Sequence, residues 1–91
     1  MNLSYHPKIH SEDLPEINPR TQQVILTAIE TRLVKGDPLH GKPLRHSYFG
    51  LRRLRVGDYR IVYKISEKES IYVLMIKHRG SVYEALAKRI R

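Results

Sequence analysis

Between residues 51 and 77 the hydrophobic pattern has a period of two and is interrupted twice by turn-forming residues, which constrains the fold more than any other feature of the chain. Residues 51–55, 59–65 and 71–77 are rich in β-branched and aromatic side chains, as strands are. Val56-Gly57-Asp58 and Glu67-Lys68-Glu69 stand where hairpin turns belong. Three consecutive strands joined by tight turns make an antiparallel meander.

The remaining elements are arranged around it. In Asn2-Leu3-Ser4-Tyr5-His6 the apolar residues alternate with polar ones, which suits a short strand that Pro7 ends. Residues 8–16 can form a helical turn shortened by Pro15. Asn18-Pro19 is a helix start, because the Asn side chain accepts from free N–H groups of the first turn and Pro fits the first helical position. A helix is expected over residues 19–35, ending at Lys35-Gly36. Its core stripe is Ile25, Ile29 and Leu33, widened by Val24, Leu26 and Ala28. Residues 37–50 carry two Pro and two Gly and read as a mildly basic loop, containing His40, Lys42, Arg45 and His46. Ser81 can cap a last helix through Tyr83, Leu86, Ala87 and Ile90. The expectation is a small α+β single domain over residues 1–91: N-terminal strand, helical segment, three-stranded antiparallel meander and short C-terminal helix.

Ninety-one residues suffice for one modest core. The absence of Cys excludes a disulfide framework, a thiolate metal site and a cysteine nucleophile. No apolar run approaches the roughly 20 residues of a membrane span or a signal peptide's hydrophobic stretch, so a cytoplasmic protein with no membrane partner is expected.

The charge is uneven. Seventeen Lys and Arg against nine Asp and Glu give a net +8. Residues 1–40 hold four and five of these, whereas residues 41–91 hold thirteen and four, a net +9. An acidic partner, nucleic acid first, therefore meets the second half of the chain.

The densest basic feature is the run from Leu51 to Arg60, with Arg52, Arg53, Arg55 and Arg60 on two strands that should pair. Alternation sends Arg53 and Arg55 to one face and Arg52 to the other. Lys77-His78-Arg79 ends the third strand, and Tyr83 follows at the start of the last helix. Guanidinium groups bind phosphate in bidentate fashion, so a converging set can hold an RNA backbone and stabilise a phosphorane-like transition state without metal. The competing reading has these arginines solvated and paired with Asp58, Glu67 and Glu69. His78 offers an imidazole, the ordinary proton-transfer group near neutral pH, or else merely caps a strand end. Tyr83 is either a core contact or a phenol fit for proton transfer among arginines. The five histidines show no two-His helical spacing, so a metal site has no support, and no Ser-His-Asp pattern or Gly-rich phosphate loop occurs.

The run Leu54-Arg55-Val56-Gly57-Asp58-Tyr59-Arg60-Ile61-Val62-Tyr63, followed by Ile76-Lys77-His78-Arg79-Gly80-Ser81-Val82-Tyr83, resembles the RelE/ParE superfamily of bacterial toxin–antitoxin toxins, and specifically its RelE branch. The order of elements follows that family over essentially the whole chain. The resemblance implies an endoribonuclease that cuts mRNA in the ribosomal A site with the RNA's own 2′-OH as nucleophile, needing no metal or organic cofactor. By the same resemblance Arg53, Arg60, Arg79 and Tyr83 are the catalytic set, with Arg52, Arg55, Lys77 and His78 as further RNA-binding residues. The RelE pattern often has a second basic residue two before Arg53, where this chain has Leu51, so Arg52 or Arg55 substitutes or the general base differs and involves His78. The implied partners are mRNA, the ribosome and a cognate antitoxin, acidic and partly disordered, which converts a monomeric free toxin into a hetero-oligomer. Two alternatives are a ParE-like toxin that poisons DNA gyrase and a non-catalytic RNA-binding module that uses Tyr59, Tyr63 and Tyr72 as a stacking surface.

Overall fold

The computed structural model describes residues 2–44, 48, 50–66 and 69–90. Its centre is a five-stranded sheet made of β1 (Asn2–Tyr5), β2 (Lys42–Pro43), β3 (Leu51–Val56), β4 (Tyr59–Ile65) and β5 (Ser70–His78), in the order β1-β5-β4-β3-β2. β3, β4 and β5 form the expected meander. Its first turn is Gly57-Asp58, where Gly57 takes a φ of +59° that costs other residues more. In the second, Glu67 and Lys68 lie outside the described residues. Two pairings add to the meander: β1 runs parallel to β5, and β2 joins β3 antiparallel through Lys42 with Arg53 and Pro43 with Arg52. The loop expected over residues 37–50 thus contains a two-residue edge strand, preceded by a 3₁₀ turn Pro38–His40. Two residues are too few to show a period, and Pro43 is tolerated because β2 lies at the edge.

The helices follow their start signals. Asn18 Oδ1 accepts from Thr21 N at 2.9 Å, Pro19 opens α1 (Pro19–Ala28), and the rod continues as a wider π-helical stretch Ile29–Val34. Residues 9–16 form a π-helical turn followed by a 3₁₀ turn that contains Pro15. Gln22 Nε2 fastens that turn to α1 by donating to the carbonyls of Leu14 and Ile17, each at 2.7 Å. Ile25, Ala28, Ile29 and Leu33 are buried as expected, but Val24 is 54% exposed because it lies on the outer side of the rod. The C-terminal helix, α2 (Val82–Arg89), buries Val82 and Leu86, whereas Ala87 and Ile90 face solvent. A helix of this length turns only one stripe inward, which Ala87 lies off, and the helix ends at Arg89, before Ile90 would continue that stripe.

The two faces of the sheet are unequal. One carries the main core: Leu54, Val56, Ile61, Tyr63, Ile71, Val73 and Ile76 pack under Ile9, Leu14, Ile17 and the α1 rod. The other is a small cluster in which Val62 and Met75 meet Val82 and Leu86 of α2. A bulge makes this possible: Val62 pairs with Met75 but Tyr63 with Val73, so Leu74 is the extra residue and β5 shifts phase there. Among the described residues, Leu44, Tyr48 and Leu51 rather than a further long helix flank this cluster on the β3 side.

Candidate functional site

Alternation along β3 sorts the arginines as expected. Arg52 shares the phase of Leu54 and Val56, and its Nη1 donates to Gly41 O at 2.6 Å, so it is spent on holding the β2 segment. Arg53 and Arg55 project on the α2 side. The β3–β4 register sets Arg55 directly opposite Arg60, and the β4–β5 register sets Arg60 opposite Lys77, so three cations lie in a row across neighbouring strands. Like charges in that position destabilise a sheet unless something neutralises them.

Lys77 is neutralised within the chain: its Nζ is 3.2 Å from Asp13 and 3.5 Å from Glu16, and it turns toward the helical turns rather than the arginines. Arg53, Arg55 and Arg60 make no ion pair among the described residues. Arg60 Nη1 donates only to the carbonyls of Gly57 and Tyr59, both at 3.0 Å. Loss of solvent, then the positive charge of Arg55, Arg53 and Arg79, push the Arg60 guanidinium below its ordinary range, with Asp58 opposing. It stays charged at any working pH.

Tyr83, in the first turn of α2, is 37% exposed, and its hydroxyl accepts from Arg53 Nη1 at 3.0 Å. The Tyr48 ring lies 6.2 Å from the Tyr83 ring at 37°. Tyr48 is a site residue that sequence reasoning passed over; it sits in the loop where no period marks it. Arg79 is exposed beside the first hairpin turn, its Nε 3.9 Å from Asp58 and its backbone N donating to Asp58 O at 2.8 Å. The structure therefore gathers Arg53, Arg55, Arg60 and Tyr83 on one face, with Arg79 at its margin.

His78 is not in that group. It pairs with Tyr59, one register position from Arg60, so alternation sends it to the opposite face, where its ring meets Tyr59 edge-on at 5.7 Å. Its Nδ1 accepts from Gly80 N at 3.2 Å. The tyrosines considered as a stacking surface also fall elsewhere: Tyr63 is fully buried, Tyr59 packs on the main core, and Tyr72 lies between His6 and Lys64. His46 and Arg45 lie outside the described residues.

What holds the site in shape was not legible beforehand. β1 pairs with β5 only as far as Val73, leaving the next edge N–H groups of β5 open. The buried Asp13 carboxylate accepts from Ile76 N at 2.9 Å and takes both Nη atoms of Arg89, at 2.6 and 3.0 Å. Arg89 also donates to Leu74 O at 3.2 Å. The end of α2, and with it Tyr83, is thereby tied to the sheet edge. Among the described residues no group of three or more His, Asp or Glu has the geometry of a metal site, and no helix is long and apolar enough to cross a membrane.

The sequence and the fold are similar to those of known proteins. The family described as ParE toxin of type II toxin–antitoxin system, parDE, matches residues 7–83. The chain is 32% identical over 73 residues to Toxin RelG of Mycobacterium tuberculosis, covering 78% of this chain and 83% of that protein. The toxin–antitoxin complex RelBE2 of M. tuberculosis contains a chain that superposes with a TM-score of 0.76 at 25% identity, over 86% of this chain and 90% of that one. The isolated E. coli RelE toxin shares the fold, with a TM-score of 0.66 at 16% identity over 99% and 98% of the two chains.

Proposed function

The chain belongs to the RelE/ParE superfamily of type II toxin–antitoxin toxins, and from that premise we propose that it is a metal-independent endoribonuclease that cleaves mRNA in the ribosomal A site. The observation that supports this most is the Arg53–Tyr83 hydrogen bond beside two arginines that oppose each other across β3 and β4 with no carboxylate between them. A pair of like charges in register is costly to keep in a small sheet, and a phosphodiester is the group that would relieve it.

In this reading Arg60 and Arg79 hold the scissile phosphate. Arg53 contacts the phosphate or the attacking 2′-oxygen, and Tyr83 transfers a proton or stacks on a base, with Tyr48 beside it. The 2′-oxygen gives up its proton and bonds to phosphorus; the bond from phosphorus to the 5′-oxygen breaks and that oxygen takes up a proton. The products are a 2′,3′-cyclic phosphate and a 5′-hydroxyl. Guanidinium groups act by meeting the charge that accumulates on the phosphoryl oxygens in between. By analogy with the RelBE complexes the partner in the cell is a cognate antitoxin, and the net charge of +8 calls for an acidic one. A second reading, gyrase inhibition, is favoured by the description of the matching family as ParE toxins.

Primer extension on an mRNA in a bacterial translation extract separates them, with naked RNA and a gyrase supercoiling assay alongside. Cuts on translated mRNA that weaken at least a hundredfold in Arg60→Ala and Tyr83→Phe are expected, since one donor to the developing charge is worth about 10²–10³-fold and a positioned proton-transfer group roughly 10²–10⁴-fold. Intact mRNA together with inhibited gyrase would replace this reading with the second.

A further inference from the structure

A pocket of about 270 Å³ lies between β3 and β4 on one side and His40, Gly41 and Lys42 on the other. Its charged lining is His40, Lys42, Arg53, Arg55 and Arg60, without a carboxylate. The larger groove beside α2 is different in kind, because Glu12, Glu16 and Glu84 line it together with its lysines. Of the two, only the first suits an anion.

The wall formed by residues 40–42 is fastened from several directions. The buried Tyr63 hydroxyl accepts from Gly41 N at 3.0 Å and donates to Pro38 O at 2.6 Å. Arg52 donates to Gly41 O, Lys42 pairs with Arg53, and Asp37 caps Leu39 N at 2.9 Å. Gly41 is required by this packing, since a Cβ there would stand against the Tyr63 hydroxyl and 2.5 Å from the Arg53 carbonyl. The backbone that carries His40 and Lys42 is thus fixed beside Arg53, whose guanidinium bonds Tyr83.

We propose that this pocket is a second phosphate subsite, which takes the backbone phosphate of a nucleotide adjacent to the one at Arg53 and Tyr83, with His40 and Lys42 as its outer wall. The assignment rests on the ribonuclease reading and extends its site along the RNA strand. The volume falls just under the roughly 300 Å³ at which small-molecule pockets begin, which suits one phosphodiester with its sugar. Arg53 and Arg60, which the ribonuclease reading sets on the scissile phosphate, also line this pocket, so a strand held by them carries its next phosphate toward Arg55, Lys42 and His40.

The test uses the full chain and a short, fluorescein-labelled single-stranded RNA bearing 2′-O-methyl groups throughout, which removes the nucleophile. Anisotropy is read across a salt series for wild type, Lys42→Gln, His40→Ala and Lys42→Arg, and again with a neutral methylphosphonate walked along the strand. Lys42→Gln should weaken binding about fivefold and flatten the plot of log affinity against log salt by about 0.7, the value for one phosphate contact on a single strand. Lys42→Arg should restore both. The methylphosphonate next to the cleavage position should weaken wild type and leave Lys42→Gln unaffected. His40→Ala, outside the β2 pairing, repeats the comparison should Lys42→Gln lower the melting temperature. Wild type that cleaves mRNA while Lys42→Gln binds with the wild-type slope overturns the subsite and leaves the nuclease standing. Losses of equal size at every phosphate, or on duplex DNA, also overturn it. Wild type that neither binds this RNA nor cleaves mRNA removes the nuclease reading, and the subsite with it.

Discussion

Tyr63 shows how one buried hydroxyl serves both stability and site geometry. Its ring lies in the main core while its oxygen leaves the core to join Gly41 N and Pro38 O. Tyr63→Phe strips both partners of a buried contact, for which about 1–3 kcal/mol is the usual cost. Denaturant melts should register that loss while the ring packing is kept. Burial raises the Tyr63 hydroxyl above its ordinary range, and the Asp37 charge adds to this; Gly41 and Arg52 oppose it. A raised value means that above about pH 10 the unfolded chain loses this proton while the folded chain keeps it. The folded state then binds more protons, so this stability is fully present below the ordinary tyrosine range and falls as pH rises from that range through the raised folded value. Tyr63→Phe should flatten that alkaline decline in melts between pH 9 and 11. Part of the slope should survive through Tyr5, which burial and then Glu30 raise in the same direction. An unchanged slope would show that Tyr63 loses its proton over the same pH range in the folded and unfolded chain.

The anchoring of α2 belongs to no single residue. Val82 and Leu86 bury one side of a helix eight residues long, and its far end is fixed by Arg89 to Asp13. Removing one member of such a buried pair typically costs about 3–5 kcal/mol, because the other charge is left without a partner. Asp13→Ala should therefore melt far below wild type and lose hydrogen-exchange protection in α2 and at Ile76. Asp13→Leu combined with Arg89→Met should recover part of the melting temperature, since Arg89 is then not left buried without a partner, while Lys77 keeps Glu16 and Ile76 N still lacks its acceptor; a double variant no better than Asp13→Ala would assign Asp13 another role. This lock also marks where the sequence stops being informative. The meander was readable because β3, β4 and β5 carry their period locally, and Asn18-Pro19 announces α1 without help from elsewhere. Asp13, by contrast, stands among polar neighbours that read as a solvated turn. Its purpose appears only when β1, from the other end of the chain's pairing order, stops at Val73 and leaves Ile76 N open. The same limit explains His78: its strand was evident, but its face depends on the Leu74 bulge, which shifts β5 by one residue and which no pattern in residues 70–78 announces.

Across the whole molecule the charge layout sets stability against function. The N-terminal half is close to neutral and supplies the carboxylates that quench Lys77 and Arg89, whereas the basic half keeps Arg53, Arg55 and Arg60 without acidic partners. Direct opposition of like charges across a strand pair costs on the order of 0.2–1 kcal/mol. Such a cost persists where activity requires it, and relief of it should stabilise the free protein. Arg55→Gln is then expected to raise stability by roughly that 0.2–1 kcal/mol in urea melts at low salt, and to weaken binding of uncleavable RNA in the same preparation. Added NaCl screens exposed charges and leaves the buried Asp13–Arg89 pair nearly untouched. Wild type should therefore gain stability between 20 and about 300 mM NaCl, at which the screening length falls well below the 10 Å it has near 0.1 M. Arg55→Gln should gain less, so the two curves converge as salt rises. A variant that melts earlier than wild type, or two curves that stay parallel, would mean that Arg55 and Arg60 are already accommodated within the fold and that their opposition is not a strain held for a polyanion.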